Sequence, residues 1–181
     1  YQKPHPPMIR ACSGLSSTLE MAREGRPFLM NLQSDETTKE RMDLYRSTMS
    51  EAGFDDEAVA RSVADSWVWR NIFVADTDAE AEEIAVPHFR AMRAYLSDNR
   101  ARMNTEQERA AQAAAVTGAA RDSLDHGLIY GSPETVCQRL EKVDKIGVGG
   151  VIIHFRLGAM PYAATEHSLR LFAEKVMPNF R

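Results

Sequence analysis

The segment Ser13-Gly14-Leu15-Ser16-Ser17 has the composition of a phosphate-binding loop. It offers hydroxyl groups, a glycine and, at the start of a predicted helix, free backbone amides. These are the groups that hold a phosphate at a helix N-terminus. On spacing alone, a simpler interpretation is that Ser16 or Ser17 caps the helix. The loop is therefore either a phosphate site or an ordinary helix start.

A second candidate site is His154-Phe155-Arg156, at the carboxyl end of the last predicted strand. A His and an Arg in a nearly apolar strand are costly unless they are paired or face a ligand. Ligands in parallel α/β folds collect at this end of the strands. We therefore take His154 and Arg156 as candidate catalytic residues, and a hydrogen-bonded structural histidine is the alternative.

Three other polar or aromatic groups allow more than one interpretation. Residues 31–35 place amide and carboxylate groups at a strand end, where they could line a pocket or cap the next helix. The segment Asp76-Thr77-Asp78 is explained more simply by helix capping and dipole compensation than by a catalytic carboxylate pair. Trp67 and Trp69 could form an aromatic wall beside a planar cofactor or pack in the core.

Several chemistries find no support in the sequence. It shows no Ser-His-Asp order, no metal-ligand cluster and no P-loop. Cys12 and Cys137 lie far apart without partners at metal-ligand spacing, so we predict no disulfide and no metal site. A reducing cytoplasm is the expected location.

Composition limits the class of protein. A chain of 181 residues that is 44% hydrophobic predicts a single domain spanning residues 1–181. The net charge of −4 and the absence of a basic stripe argue against nucleic acid as a partner. The sequence has no long apolar run, so no membrane span is predicted. The first residue is Tyr1, so we expect the chain to begin within a longer protein.

The positions of the candidate site residues depend on an alternation of strands and helices. Strands are predicted at residues 8–12, 27–32, 67–75 and 151–155, each followed by a helical pattern. This alternation predicts a parallel α/β protein. About four strands are too few to close a barrel. The chain is therefore expected to be half of a larger barrel, or a sheet completed by another chain.

Two helices are predicted from their starts and their periodicity. Ser34 or Asp35 is the candidate cap of the helix after the second strand, in which Met42, Tyr45 and Met49 recur at helical spacing until Gly53. Thr77 and Glu80 form a capping-box pattern after the third strand.

The helices have recognisable boundaries and one long interruption. Ser132 is predicted as an N-cap with Pro133 in the first turn, and Pro87 should kink or interrupt the helix after the third strand. Residues from about 98 to 126 are polar and rich in Ala. We interpret them as a mobile, partly helical insertion.

Taken together, these segments resemble the carboxyl-terminal half of the bacterial luciferase-like flavin monooxygenase family. The resemblance spans nearly the whole chain. It rests on Lys3-Pro-His-Pro-Pro7, Ala11-Cys-Ser-Gly-Leu-Ser-Ser17 before Ala22-Arg-Glu-Gly25, Phe73-Val-Ala-Asp-Thr-Asp-Ala-Glu-Ala81, and Gly131-Ser-Pro-Glu-Thr-Val136 with Phe172-Ala-Glu-Lys-Val-Met-Pro178. The last pair is the most specific. The first loop departs from the family pattern, which often has Ser-Pro-Glu-Ser where this chain has Gly14-Leu-Ser-Ser17.

The resemblance implies a TIM (β/α)8 barrel about twice this length, with this chain covering strands five to eight. In the family, the loop after strand five helps to hold the flavin phosphate. This role would fall to Ser13, Gly14 and Ser17, with Ala11 and Cys12 near the ring system. The insertion at about 98–126 would correspond to the family's mobile lid.

The function implied is that of a monooxygenase that uses reduced FMN and O2 on a hydrophobic substrate. A flavin reductase would supply the reduced FMN. An F420-dependent oxidoreductase of the same barrel family is an alternative, because nothing in this half separates the two. Another is a non-catalytic half barrel that binds a flavin or a partner. Open sheet edges predict a homo-oligomer or association with the missing half.

Overall fold

The computed structural model describes residues 2–6, 8–108, 110 and 123–180. In these residues five parallel strands form one sheet. The strands are β1 (Arg10–Cys12), β2 (Phe28–Met30), β3 (Trp67–Val74), β4 (Ile129–Gly131) and β5 (Gly150–His154).

Helices follow the strands in sequence, as a parallel sheet requires. The described helices are α1 (Leu15–Arg23), α2 (Asp35–Glu51), α3 (Asp56–Ala64), α4 (Asp78–Met103), α5 (Leu124–Gly127), α6 (Pro133–Asp144) and α7 (Tyr162–Leu171). Helix α7 continues into a π-helical turn (Phe172–Val176) and a 3-10 turn (Met177–Asn179). None of the described helices is both long and apolar enough to span a membrane.

Strand β3 is the centre of the sheet. It pairs with β2 at Trp67 and Val68, with β5 from Trp67 to Asn71, and with β4 from Ile72 to Val74. β1 pairs with β2 on the far side. The eight residues of β3 include two Trp, two Val, Ile and Phe, which favour an extended backbone.

The two faces of the sheet differ because side chains alternate along each strand. One face packs against the helices and contains Cys12, Met30 and Val68, which the register aligns. The opposite face, here called the open face, carries Ala11, Leu29, Trp67, Trp69 and Ile152. On this face Trp67 is 43% exposed and Trp69 is 40% exposed. The interpretation of Trp67 and Trp69 as buried core residues is therefore wrong.

Local signals placed the starts of three helices correctly. Ser34, Thr77 and Ser132 each accept a hydrogen bond from a backbone amide three residues ahead, in the manner of N-caps. The predicted periodicity of α2 is also confirmed, since Met42, Tyr45 and Met49 are fully buried.

Three expectations need correction or comment. Strand β4 was missed, because three residues leading into a glycine turn give no periodic signal. Pro87 does not interrupt α4, whose neighbouring Val86 and Phe89 are held in the core. The predicted insertion at about 98–126 is divided between helices. Its first part, through Met103, belongs to α4, and residues 124–126 belong to α5. Residues 109 and 111–122 lie outside the described residues.

Candidate functional site

The ends of β1 and β2 border a cavity of about 310 Å³ on the open face. Ala11, Cys12 and Ser13 line it from the first strand, and Trp69 closes it from β3. The remaining lining residues are Leu29, Met30, Asn31 and Ile152. The cavity thus lies where parallel α/β proteins collect ligands, with an apolar floor, an aromatic wall and polar groups at one end.

The loop after β1 leads directly into the N-terminus of α1. Gly14 is the N-cap residue, and no side chain caps the helix. Ser17 instead donates its hydroxyl to the Gly14 carbonyl at 2.9 Å, so capping by Ser16 or Ser17 is wrong. The amides of the first turn are left without a side-chain acceptor, and these are the groups that attract an anion.

Of the predicted cofactor-binding residues, Ala11, Cys12 and Ser13 line the cavity, whereas Gly14 and Ser17 belong to the helix start next to it. The Cys12 side chain is 1% exposed and packs in the core on the helix side of the sheet. Burial raises the pKa of its thiol. Cys12 is therefore a neutral core residue rather than an exposed nucleophile.

Arg41 is part of this region and was not anticipated from the sequence. It projects from α2, is 8% exposed, and donates from Nη1 to the Ser13 carbonyl at 3.2 Å. Its burial lowers the pKa of the guanidinium. A buried cation 28 residues along the chain is thus brought to the loop after β1, which adds positive charge next to the α1 N-terminus.

Arg70 was also missed, although it lies in the most confidently predicted strand. It is 2% exposed and pairs with Asp35, the first residue of α2, at 3.0 Å. It also donates to the Thr38 hydroxyl and to the Trp69 carbonyl. Asp35 therefore neutralises a buried cation rather than capping a helix, and the cap is Ser34.

A second polar group lies where the end of β5 pairs with the middle of β3. His154 Nδ1 is 3.0 Å from Asn71 Oδ1, and its ring packs against Trp69 with centroids 5.8 Å apart. His154 and Arg156 both line a cavity of about 720 Å³ beside α4. The two candidate catalytic residues thus share a cavity, and Asn71 is an unforeseen partner of His154. Their catalytic role stays a prediction.

The carboxylates after β3 have structural roles. Asp76 pairs with His167 at 2.9 Å, and Asp78 accepts hydrogen bonds from the Ser132 amide and the Thr135 hydroxyl. The Ser132 amide is the main reason that the pKa of Asp78 is lowered. Within the described ranges, no three His, Cys, Asp or Glu residues are close enough to share a metal ion.

Comparison with protein families decides the relationship. The model of the luciferase-like monooxygenases matches residues 1–149, which is most of the chain. The chain belongs to the luciferase-like monooxygenase family. The resemblance carried by the Ser13 loop and the Gly131 segment is thereby confirmed. No curated protein sequence matches the chain.

Solved structures of the family share its fold. The monooxygenase RslO1 from Streptomyces bottropensis matches with 22% identity and a TM-score of 0.64, over 99% of this chain and 50% of that one. The oxygenating constituent of 3,6-diketocamphane monooxygenase from Pseudomonas putida, solved with FMN, matches with 20% identity and a TM-score of 0.67, over 97% and 49%. An F420-dependent secondary alcohol dehydrogenase matches with 14% identity and a TM-score of 0.67, over 99% and 50%.

These comparisons establish a luciferase-like α/β fold with a parallel sheet. The chain spans about half the length of the solved relatives that it matches. This coverage is consistent with a partial barrel.

Proposed function

We propose that this protein is a flavin-dependent oxidoreductase, specifically a monooxygenase that uses reduced FMN and O2 on a hydrophobic substrate. We also propose that the chain is the carboxyl-terminal half of the barrel. The predicted assignment to strands five to eight accounts for four strands, whereas the sheet has five, so one of the five is additional to that assignment. The observation that carries the function is the cavity at the ends of β1 and β2, which combines the aromatic face of Trp69 with the uncapped N-terminus of α1. Family membership restricts the chemistry to which such a cavity belongs.

The residues at this cavity fit the two parts of FMN. The amides at the start of α1 and the Ser13 hydroxyl suit the phosphate, and the buried Arg41 adds positive charge. The Ser17 hydroxyl would have to turn away from the Gly14 carbonyl to join them. Ala11 and Trp69 offer a flat surface to the ring system. When bound, the flavin supplies the redox chemistry, and these residues bind and orient it.

F420-dependent hydride transfer is the second candidate. It is favoured by the match to the F420-dependent alcohol dehydrogenase, whose TM-score of 0.67 equals that of the FMN-bound relative. Both cofactors bear a phosphate and a planar tricyclic ring, so the cavity accommodates the shared part of either.

Two measurements test the proposal. The purified protein is titrated with FMN, reduced FMN and F420 to measure binding, and oxygen uptake is then measured with each. We expect tightest binding of reduced FMN, and oxygen consumption that depends on a reductase supplying it. Binding of F420 alone, without oxygen uptake, would select the second candidate. If none of the three binds, both functions are excluded.

A further inference from the structure

The Asn71 amide has an orientation that its partners determine. Its Nδ2 lies 2.7 Å from the carbonyl oxygen of Gly127, an atom that can only accept. The opposite atom, Oδ1, lies 3.5 Å from the indole N–H of Trp69, which can only donate. Asn71 is 5% exposed, so neither end exchanges freely with water. Oδ1 is therefore the atom that faces His154.

This orientation selects one tautomer of His154. Because Asn71 Oδ1 is an acceptor, His154 Nδ1 must carry the proton in their 3.0 Å hydrogen bond. In the neutral ring Nε2 then has a free lone pair. Burial lowers the pKa of His154, which favours the neutral form near pH 7. Nε2 has no hydrogen-bond partner within the part of the chain that the structure describes.

His154 also lines a mainly apolar cavity of about 720 Å³. Because Nδ1 is held by Asn71, Nε2 is the ring nitrogen left for a molecule in that cavity. Its walls come from α4 and from the loop between β5 and α7: Ala91, Met92, Tyr95, Leu96, Gly158 and Ala159. The loop is anchored, because Leu157 and Met160 are fully buried against Phe89 of α4. The cavity is thus bounded by packed elements.

Arg156 lines the same cavity and supplies the opposite kind of group. Its side chain is exposed and has neither an ion pair nor a hydrogen bond to another described residue. A guanidinium can only donate, whereas Nε2 of neutral His154 can only accept. The cavity therefore presents one acceptor and one cationic donor on an apolar background.

We propose that this cavity binds an apolar molecule that bears a hydroxyl group, with Nε2 of His154 accepting the hydroxyl hydrogen and Arg156 donating to an oxygen of the same molecule. As the substrate site of the oxidoreductase, it rests on the proposed function. The site itself is defined without the flavin, so it can be tested in the flavin-free protein. Asn71 acts as a positioning residue that sets the tautomer.

Nitrogen NMR of the histidine rings tests the first step. In the wild-type protein at neutral pH, the His154 signal, assigned by its loss in His154→Asn, should show a protonated Nδ1 and an unprotonated Nε2. Asn71→Ala should abolish this preference. A His154 ring protonated on Nε2 in the wild type would overturn the proposal without any need for a variant.

Binding of 1-naphthol and 1-methoxynaphthalene tests the second step. The two share an apolar ring system and an oxygen, but only 1-naphthol can donate. We expect 1-naphthol to bind about tenfold more tightly, as the worth of one hydrogen bond indicates, and to shift the His154 signals. His154→Asn retains a donor for Asn71 but removes Nε2, so the preference should vanish.

The control is His5→Asn, at an exposed position of the extended N-terminal segment, which should keep the preference for 1-naphthol. Equal affinity for both compounds in the wild type overturns the proposed site, even if the tautomer is as expected. A preference that survives in His154→Asn also overturns it. Flavin titrations test the proposed function separately. If the protein binds no flavin but prefers 1-naphthol, only the proposed function is excluded.

Discussion

At the scale of single residues, burial gives the charged groups of this protein their roles. Arg70 stands among apolar residues of β3, where sequence reasoning sees only an interruption. In the structure its charge is balanced by Asp35, with a side-chain hydroxyl and a carbonyl as further partners. Such a pair adds little net stability, but loss of one partner leaves a buried charge. It therefore constrains how α2 sits on the sheet.

Removal of Asp35 should be more damaging than removal of Arg70. Asp35→Ala leaves a guanidinium that is 2% exposed without its counter-ion, and should cost about 2–3 kcal/mol in free energy of unfolding, less than for a fully buried pair because Asp35 is partly exposed. Arg70→Met should cost less, since Met fills the space without a charge. Urea unfolding measures both.

The control for this pair is Asp43→Ala, which removes an exposed carboxylate that pairs with Lys39 and Arg46 and should change stability by about 0.5 kcal/mol or less. A smaller effect of Asp35→Ala than of Arg70→Met would contradict the balance described here.

His154 should make stability depend on pH. Burial lowers its pKa in the folded state, so as pH falls below the unfolded value of about 6.5 the unfolded chain takes up a proton first. The contribution of His154 to stability is complete above the unfolded pKa, and it is lost as the pH falls through the lower pKa of the folded state. The free energy of unfolding should be measured at about pH 8 and about pH 5. It should decrease less between these pH values for His154→Asn than for the wild type. Equal decreases would refute the assignment.

At the scale of elements, the N-termini of the helices differ in a way that matters for binding. α2, α3, α4 and α6 are capped by the side chains of Ser34, Asp55, Thr77 and Ser132, whereas α1, α5 and α7 have no side-chain acceptor at the N-cap, which in α1 is Gly14. Gly14 has φ −117°, which any residue can adopt, and a Cβ there would meet nothing within 4 Å. Glycine is therefore not demanded by the backbone, and its effect is to leave the amides of α1 free.

Gly14→Asp should weaken FMN binding without harming the fold. Asp is a good N-cap, so helix α1 should be as stable or more stable. Its carboxylate would compete with the FMN phosphate and repel it, reducing affinity about tenfold. Riboflavin, which lacks the phosphate, should bind as before. Flavin fluorescence titration measures both ligands.

The matched variant is Gly14→Asn, which has nearly the same size and capping ability but no charge. It should weaken FMN binding less than Gly14→Asp does. If both variants bind FMN as the wild type does, the phosphate is held elsewhere.

At the scale of the whole molecule, β3 joins two hydrophobic cores. Ile72 and Val74 belong to the larger core between the sheet and the helices, whereas Phe73 belongs to a second core with Phe89, Leu128 and the loop after β5. Successive side chains of one strand thus enter both cores. Disruption of either core must disturb β3, so the two should not unfold independently.

Unfolding should therefore be a single transition. Far-UV circular dichroism and the fluorescence of Trp67 and Trp69 should give coincident urea curves. Phe73→Ala, in the second core, should shift both curves together and cost about 3 kcal/mol or more. An early transition seen by only one probe in this variant would show that the cores are separate.

Sequence reasoning succeeded where the physical cause is local or repeated. The positions of four strands, the caps Ser34, Thr77 and Ser132, and the buried face of α2 follow from propensity, capping and periodicity, which act within a few residues. Family membership was evident from motifs at characteristic spacing. The short strand β4 escaped, because its extended backbone comes from pairing with Ile72–Val74 and not from its own three residues.

By itself, the sequence determined the parallel α/β class and the family, and it supplied the segments that we propose as sites. Only the tertiary structure decided which groups act together. Arg41 reaches Ser13 across 28 residues, Arg70 reaches Asp35 across 35, and His154 meets Asn71 across 83. The protonation of His154 depends on the Gly127 carbonyl, acting through Asn71. Such pairings arise from packing between distant elements, and no local pattern encodes them.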